Sequence, residues 1–156
     1  MAETPRVGIL VGSASDLPTI EKAGVIFEKF GVEHEISVMS AHRNPEQVDN
    51  YVSTAPDRGI EVFICGAGMA AHLAGAVAAR TILPVIGVPI SATNLDGLDA
   101  LLSTVQMPKG VPVATVAIDG SINAALLAIQ MLALNDAELA SKLRNFKIDL
   151  GEGLKL

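Results

Sequence analysis

The chain has no tryptophan, one tyrosine and one cysteine, and aromatic residues make up only 3% of its 156 positions. A flavin held by ring stacking needs flat aromatic partners. With Tyr51 and four phenylalanines to draw on, a flavin- or nucleotide-binding module without catalysis finds little support. The lone Cys65 excludes an intrachain disulfide and any multi-cysteine metal site. There is no Lys/Arg run, and the formal charge of −6 argues against nucleic acid as a partner. No apolar stretch approaches the ~20 residues of a bilayer span. The most apolar window, Leu73 to Ile90, is broken by Arg80, Pro84 and Pro89, and Met1 to Arg6 lacks the apolar core of a signal peptide. A soluble, cytoplasmic protein with no membrane partner is expected. Charge itself is scarce: 18% of residues, against roughly 25% in an ordinary soluble domain, while half are hydrophobic. Mean hydropathy is +0.45. A compact monomer needs more charged surface than this, so a homo-oligomer is expected.

The length suits one domain, with a core over about 6–134 and a closing helix and tail over 136–156. Val7 to Val11 is a continuous apolar run ending at Gly12, the pattern of a strand buried on both faces. Ile20, Ala23, Phe27 and Phe30 then repeat at helical spacing over 17–30, with Gly31 as terminator. A second strand over 32–39 alternates and is placed nearer a sheet edge. A helix from Pro45 to Thr54 follows, then a turn over 56–59. Strands are expected over 62–65, 85–88 and 113–118, and helices over 69–79, 98–105, 123–134 and 136–146. Strands alternating with helices predict an α/β fold, a doubly wound parallel sheet with right-handed crossovers and helices on both faces.

Four strand-end loops hold the candidates for chemistry, because ligands of open α/β sheets bind beyond the carboxyl ends of strands. In the first, Gly12-Ser13-Ala14-Ser15-Asp16, small residues, hydroxyls and a helix start suit a polar ligand. It is neither a dinucleotide fingerprint nor a P-loop. Capping by Ser15 or Asp16 explains it equally well, and Asp16 suits sugar hydroxyls better than phosphate. The second holds Ser40, Ala41, His42 and Arg43, with Asn44, Pro45 and Gln47 as a variant capping box. An imidazole titrates near pH ~6.5 and can give and take a proton at cellular pH. The fixed cation of Arg43 beside it points to a bound anion.

The third, Gly66-Ala67-Gly68 followed by Met69-Ala70-Ala71-His72-Leu73, lets a ligand lie against backbone amides. His72 falls inside the helix expected from Met69, where a structural role outweighs a catalytic one. Cys65 and His34 read as strand residues, and no cluster marks a metal site. In the fourth, Ser91 to Gly97, Asp96 reads as a helix cap, with Asp99 nearby. Ser13, His42 and Asp96 compose a hydrolase triad on paper, but the chain has no G-x-S-x-G elbow.

Taken in order, Gly12-Ser13-Ala14-Ser15-Asp16, Ser40-Ala41-His42-Arg43, Gly66-Ala67-Gly68, Ala70-Ala71-His72-Leu73, Asp96-Gly97-Leu98-Asp99, Val105-Gln106-Met107-Pro108 and Asn123-Ala124-Ala125-Leu126-Leu127 form a specific series. The chain resembles, from Val7 to about Arg144, the class I N(5)-carboxyaminoimidazole ribonucleotide mutases of purine biosynthesis. The resemblance implies a flavodoxin-like three-layer domain assembled as an octamer, with no metal, ATP or organic cofactor. It implies a ribonucleotide whose exocyclic amine carries a carbamate. The carboxyl group would pass, as trapped carbon dioxide in a closed pocket, to the neighbouring ring carbon. His42 would be the general acid and base. Ser13, Asp16 and Arg43 would hold the ribose phosphate portion, and Ser40, Ala41, Gly66, Ala67, Gly68, His72 and Leu73 would bind or line.

The nearest alternatives are a carboxylase taking free carbon dioxide, a class that usually has lysine after the histidine where Arg43 stands, and a related carboxylase acting on another heterocycle. The chain departs from the family at Met69, where a glycine is usual, at Ala74, where a proline is usual, and at Asn44, where a threonine is common. Its tail after Phe146 is also short and without net charge beside the longer helical tail usual in the family.

Overall fold

The computed structural model describes residues 4–156, so Met1, Ala2 and Glu3, part of the stretch read as lacking a signal core, lie outside it. Five parallel strands form the sheet: β1 (Val7–Val11), β2 (His34–Val38), β3 (Val62–Gly68), β4 (Val85–Ile90) and β5 (Ala114–Thr115), in the order β2-β1-β3-β4-β5. The helices are α1 (Leu17–Phe30), α2 (Pro45–Thr54), α3 (Leu73–Ala78), α4 (Leu98–Val105), α5 (Ser121–Leu132) and α6 (Ala137–Gly151). This is the flavodoxin-like strand order, which reverses direction between β1 and β3.

Alternation along each strand builds two cores. Val7, Ile9, Val11, Ile64, Ile86 and Val88 meet Phe27 of α1, Ile129 of α5 and Phe146 of α6. On the opposite face Leu10, Phe63, Cys65 and Val85 meet Val48 and Val52 of α2 and Leu73 and Val77 of α3. Cys65 is thus the buried strand residue expected, and His34 packs its ring on Phe27, centroids 5.1 Å apart.

Several boundaries differ from those read in the sequence, each for a physical reason. β3 runs on through Gly66-Ala67-Gly68, because those residues pair with Val88, Pro89 and Ile90. β5 stops at Thr115: Val116 still donates to Gly87 at 3.1 Å, but Pro89 has no N–H for the next rung. α3 begins only at Leu73, so His72 precedes the helix. α6 continues to Gly151, beyond the expected Phe146, since Leu143, Phe146 and Leu150 share one face against the core. β2 occupies the predicted edge.

Large apolar side chains remain exposed. On α4, Leu98, Leu102 and Val105 are each about half exposed, at 51%, 49% and 46%, and lie at helical spacing, with Leu95 just ahead of them. No helix among the described residues is long and apolar enough to cross a membrane.

Candidate active site

Where the strand order reverses, the loops after β1 and β3 diverge and leave a crevice at the carboxyl edge. The β2 loop closes one side of it. The result is an open cleft of about 550 Å³. Its walls include Ser13, Asp16, Ser40, Ala41, His42, Arg43, Ala67, Gly68, His72 and Leu73. Of the residues proposed from sequence, only Gly66 stands apart. It lies within β3, where a Cβ would come 2.7 Å from Ile20, and its carbonyl accepts the Gly12 N–H at 3.1 Å. Ser15, Met69, Ala70 and Ala92 also line the cleft, and Ala92 carried no chemical signal that could have marked it. It approaches because Gly68 has no side chain; a Cβ there would meet Ala92 at 2.7 Å.

The centre of the cleft is a pair of imidazoles. His42 Nε2 and His72 Nδ1 are 2.7 Å apart, with the rings nearly perpendicular at 86°. A hydrogen bond between two imidazole nitrogens needs one donor and one acceptor, so at least one ring is neutral at that nitrogen. The helical position expected for His72 is therefore corrected: the residue precedes α3, and its exposed ring faces His42. The hydrolase triad that the missing elbow argued against is not assembled either. Asp96 is absent from the cleft wall, its backbone is left-handed (φ 51°), and His42 is bonded to His72. Nor does Asp96 cap α4, which follows Gly97 without a side-chain cap.

Each neighbour is held by its loop. The Ser13 hydroxyl oxygen accepts the Ser15 N–H at 3.4 Å, so Ser13 rather than Ser15 or Asp16 caps the first turn. In the second loop Asn44 makes no side-chain cap bond to α2, and Ser40 Oγ accepts the Arg43 N–H at 3.2 Å within the turn that precedes the helix. The Arg43 guanidinium donates to the Gly12 carbonyl at 3.1 Å, tying the first and second loops together. It forms no ion pair among the described residues, leaving its charge available to an anion. Asp16 is 6% exposed, and burial raises its carboxyl pKa, opposed in part by the Ser13 backbone N–H. Among the described residues no three His, Cys, Asp or Glu side chains cluster as metal ligands.

A parallel α/β sheet whose crevice joins two imidazoles, an unpaired arginine and a buried carboxylate defines a protein suited to proton transfer on a small anionic ligand. The chain belongs to the AIR carboxylase family, whose model matches residues 6–152. It is 56% identical over 149 residues to the N5-carboxyaminoimidazole ribonucleotide mutase of Pyrococcus horikoshii, spanning 96% of this chain and 84% of that one. It is 51% identical over 148 residues to the chloroplastic phosphoribosylaminoimidazole carboxylase of Vigna aconitifolia, spanning 95% of this chain but 27% of that longer protein. Among solved structures, Treponema denticola PurE superposes with a TM-score of 0.86 at 32% identity, over 95% of this chain and 92% of that one.

Two consequences of the cleft are measurable. Because folding raises the Asp16 proton affinity, the folded chain binds the extra proton, and stability is lost as pH rises through and above the ordinary value of 3.8. Asp16→Asn is therefore more stable than the parent at neutral pH, and the two converge at acid pH; urea unfolding at both checks this. Met69 has φ 56°, a left-handed backbone that costs a side-chain-bearing residue about 1 kcal/mol. Met69→Gly should raise Tm by about 2–4 °C for a relief of that size, as read by calorimetry.

Proposed function

We propose that the chain is an isomerase that converts N(5)-carboxyaminoimidazole ribonucleotide to 4-carboxy-5-aminoimidazole ribonucleotide in purine biosynthesis. The observation that carries this reading is the hydrogen-bonded His42–His72 pair in a cleft that also holds Arg43 and Asp16. Protonation of the carbamate nitrogen breaks the N–C bond and releases carbon dioxide, leaving an electron-rich aminoimidazole. The ring carbon then attacks carbon dioxide, and loss of its proton restores aromaticity. One proton enters at nitrogen and one leaves from carbon, so a base that cycles between two states serves both steps. His42 is that acid and base. Its bond to His72 adds a second nitrogen to the path, so the proton can rest on either ring between steps.

In this reading Arg43 and Ser13 face the phosphate, and buried Asp16 receives ribose hydroxyls. Ser40, Ala41, Ala67, Gly68 and Leu73 shape the wall, and Gly66 supports it from within the strand. No metal or organic cofactor is required by the bond changes, and the cytoplasm is the compartment. The α4 stripe of Leu98, Leu102 and Val105 is the surface through which copies associate, with an octamer as the assembly. Association matters to the chemistry, since both imidazoles of a single chain are exposed and carbon dioxide must be kept beside the ring.

A second reading, carboxylation of aminoimidazole ribonucleotide by free carbon dioxide, is favoured by the relatives named carboxylases. Turnover of the carbamate in labelled bicarbonate separates the two: a mutase retains its own carboxyl carbon, whereas a carboxylase takes up label. His42→Asn is expected to bind the ribonucleotide within about threefold of the parent and to lose at least ~100-fold in kcat. Calorimetric titration together with a product assay checks both, and near-parental turnover rejects the role.

A further inference from the structure

The segment between β3 and α3 carries His72, whose own backbone bonds are all local: its N–H donates to the Ala70 carbonyl at 3.0 Å and its carbonyl accepts the Ala76 N–H at 2.9 Å. Residues 69–72 form neither strand nor helix, Met69 is left-handed, and α3 is a single short helix of six residues. A left-handed methionine persists only where its surroundings over-determine the backbone. The restraint from outside the segment comes from α4. Ser103 Oγ accepts the Ala71 N–H at 2.9 Å and lies 3.4 Å from the Met69 carbonyl, while its own proton goes to the Asp99 carbonyl at 2.7 Å. We propose that Ser103 is a positioning residue, pinning the turn after β3 to α4 and so setting His72 against His42.

The ordinary explanation of a helical serine is back-bonding to the carbonyl four residues earlier, and the Asp99 contact is of that kind. It does not account for the bond accepted from Ala71, which is 32 residues away in sequence and itself only 2% exposed. A backbone N–H buried there requires a partner. Ser103 can supply it because α4 is fixed independently, with Ala100 and Thr104 buried on the sheet side of the helix. The next residue after Ala71 is His72, so a shift of the turn is passed on with little damping. An imidazole pair at 2.7 Å tolerates few tenths of an ångström before the bond weakens, and misplacement by ~1 Å can cost on the order of 100-fold in rate.

This rests on the reading of the imidazole pair as the proton-handling centre, and the test keeps the two separate. Ser103→Ala and Ser103→Thr are made in the full chain, and the ring-nitrogen resonances of His42 and His72 are recorded without substrate. Kinetics on the carbamate follow. Ser103→Ala is expected to move both histidine signals away from their paired positions and to lower kcat about tenfold or more, with KM within about twofold. Ser103→Thr, which keeps the hydroxyl, is expected to restore both. Unchanged histidine signals in Ser103→Ala overturn the proposal, as does failure of Ser103→Thr to restore them, or a parallel loss in kcat and KM with the signals in place. If Ser103→Ala does not fold, Ser103→Cys, a weaker acceptor, is read against the same outcomes. A parent chain that does not turn over the carbamate defeats the functional reading, and the histidine signals then decide the role of Ser103 by themselves.

Discussion

Two imidazoles that begin on different strands come together here only because the chain reverses its winding direction between β1 and β3. His42 follows β2, His72 follows β3, and β1 lies between those strands in the sheet. The register fixes the height of all three loops: Val11 is level with Val38 on one side and Gly66 on the other. Gly12 donates to the Gly66 carbonyl, Met39 donates to the Val11 carbonyl, and Arg43 reaches back to the Gly12 carbonyl. These backbone bonds make the first loop the floor across which the two rings meet. A slip of one residue in either ladder would invert the faces of the strand and separate them.

The cleft is lined largely by small and apolar residues, and its few polar side chains occupy separate places in it. Asp16 is buried, so its carboxyl resists ionisation, while the Arg43 guanidinium is exposed at the solvent side of the cleft. The imidazoles occupy the wall between the second and third loops. Such a gradient suits a ligand with an anionic end and a reactive ring, because charge and proton transfer are handled at different places in one cavity. The outline of the sheet does not dictate that arrangement; side chains from three loops do.

Much of the framework was legible because it rests on local signals. Val7 to Val11 reads as a buried strand from its unbroken apolar run, and Pro45 marks the start of α2. The ends of elements were harder, since they depend on partners. Gly66-Ala67-Gly68 has no β-forming signal of its own and becomes strand by pairing with β4, whereas 116–118 has that signal and loses the ladder to Pro89. His72 was misplaced for a related reason: methionine carries no turn signal, so the left-handed residue that delays α3 was invisible. Most residues of the cleft could be listed from the sequence, though not Ala92, and the His42–His72 bond could not. It follows from sheet order, which no local pattern encodes.

The composition and the proposed chemistry meet at the mouth of the cleft. A chain with 18% charged residues and half-exposed leucines on α4 presents more apolar surface than water favours. A reaction that releases carbon dioxide beside an electron-rich ring needs a drier cavity than an open cleft provides. Closing the cleft by adding a lid to each chain would require more residues and would order them at a cost in conformational entropy. Covering apolar faces with neighbouring copies removes that surface from water and restricts access to the loops beyond the same sheet edge. In the proposed assembly the scarcity of charge is therefore not separate from catalysis, because the surface that drives association lies on α4, the helix whose Ser103 also holds the turn bearing His72.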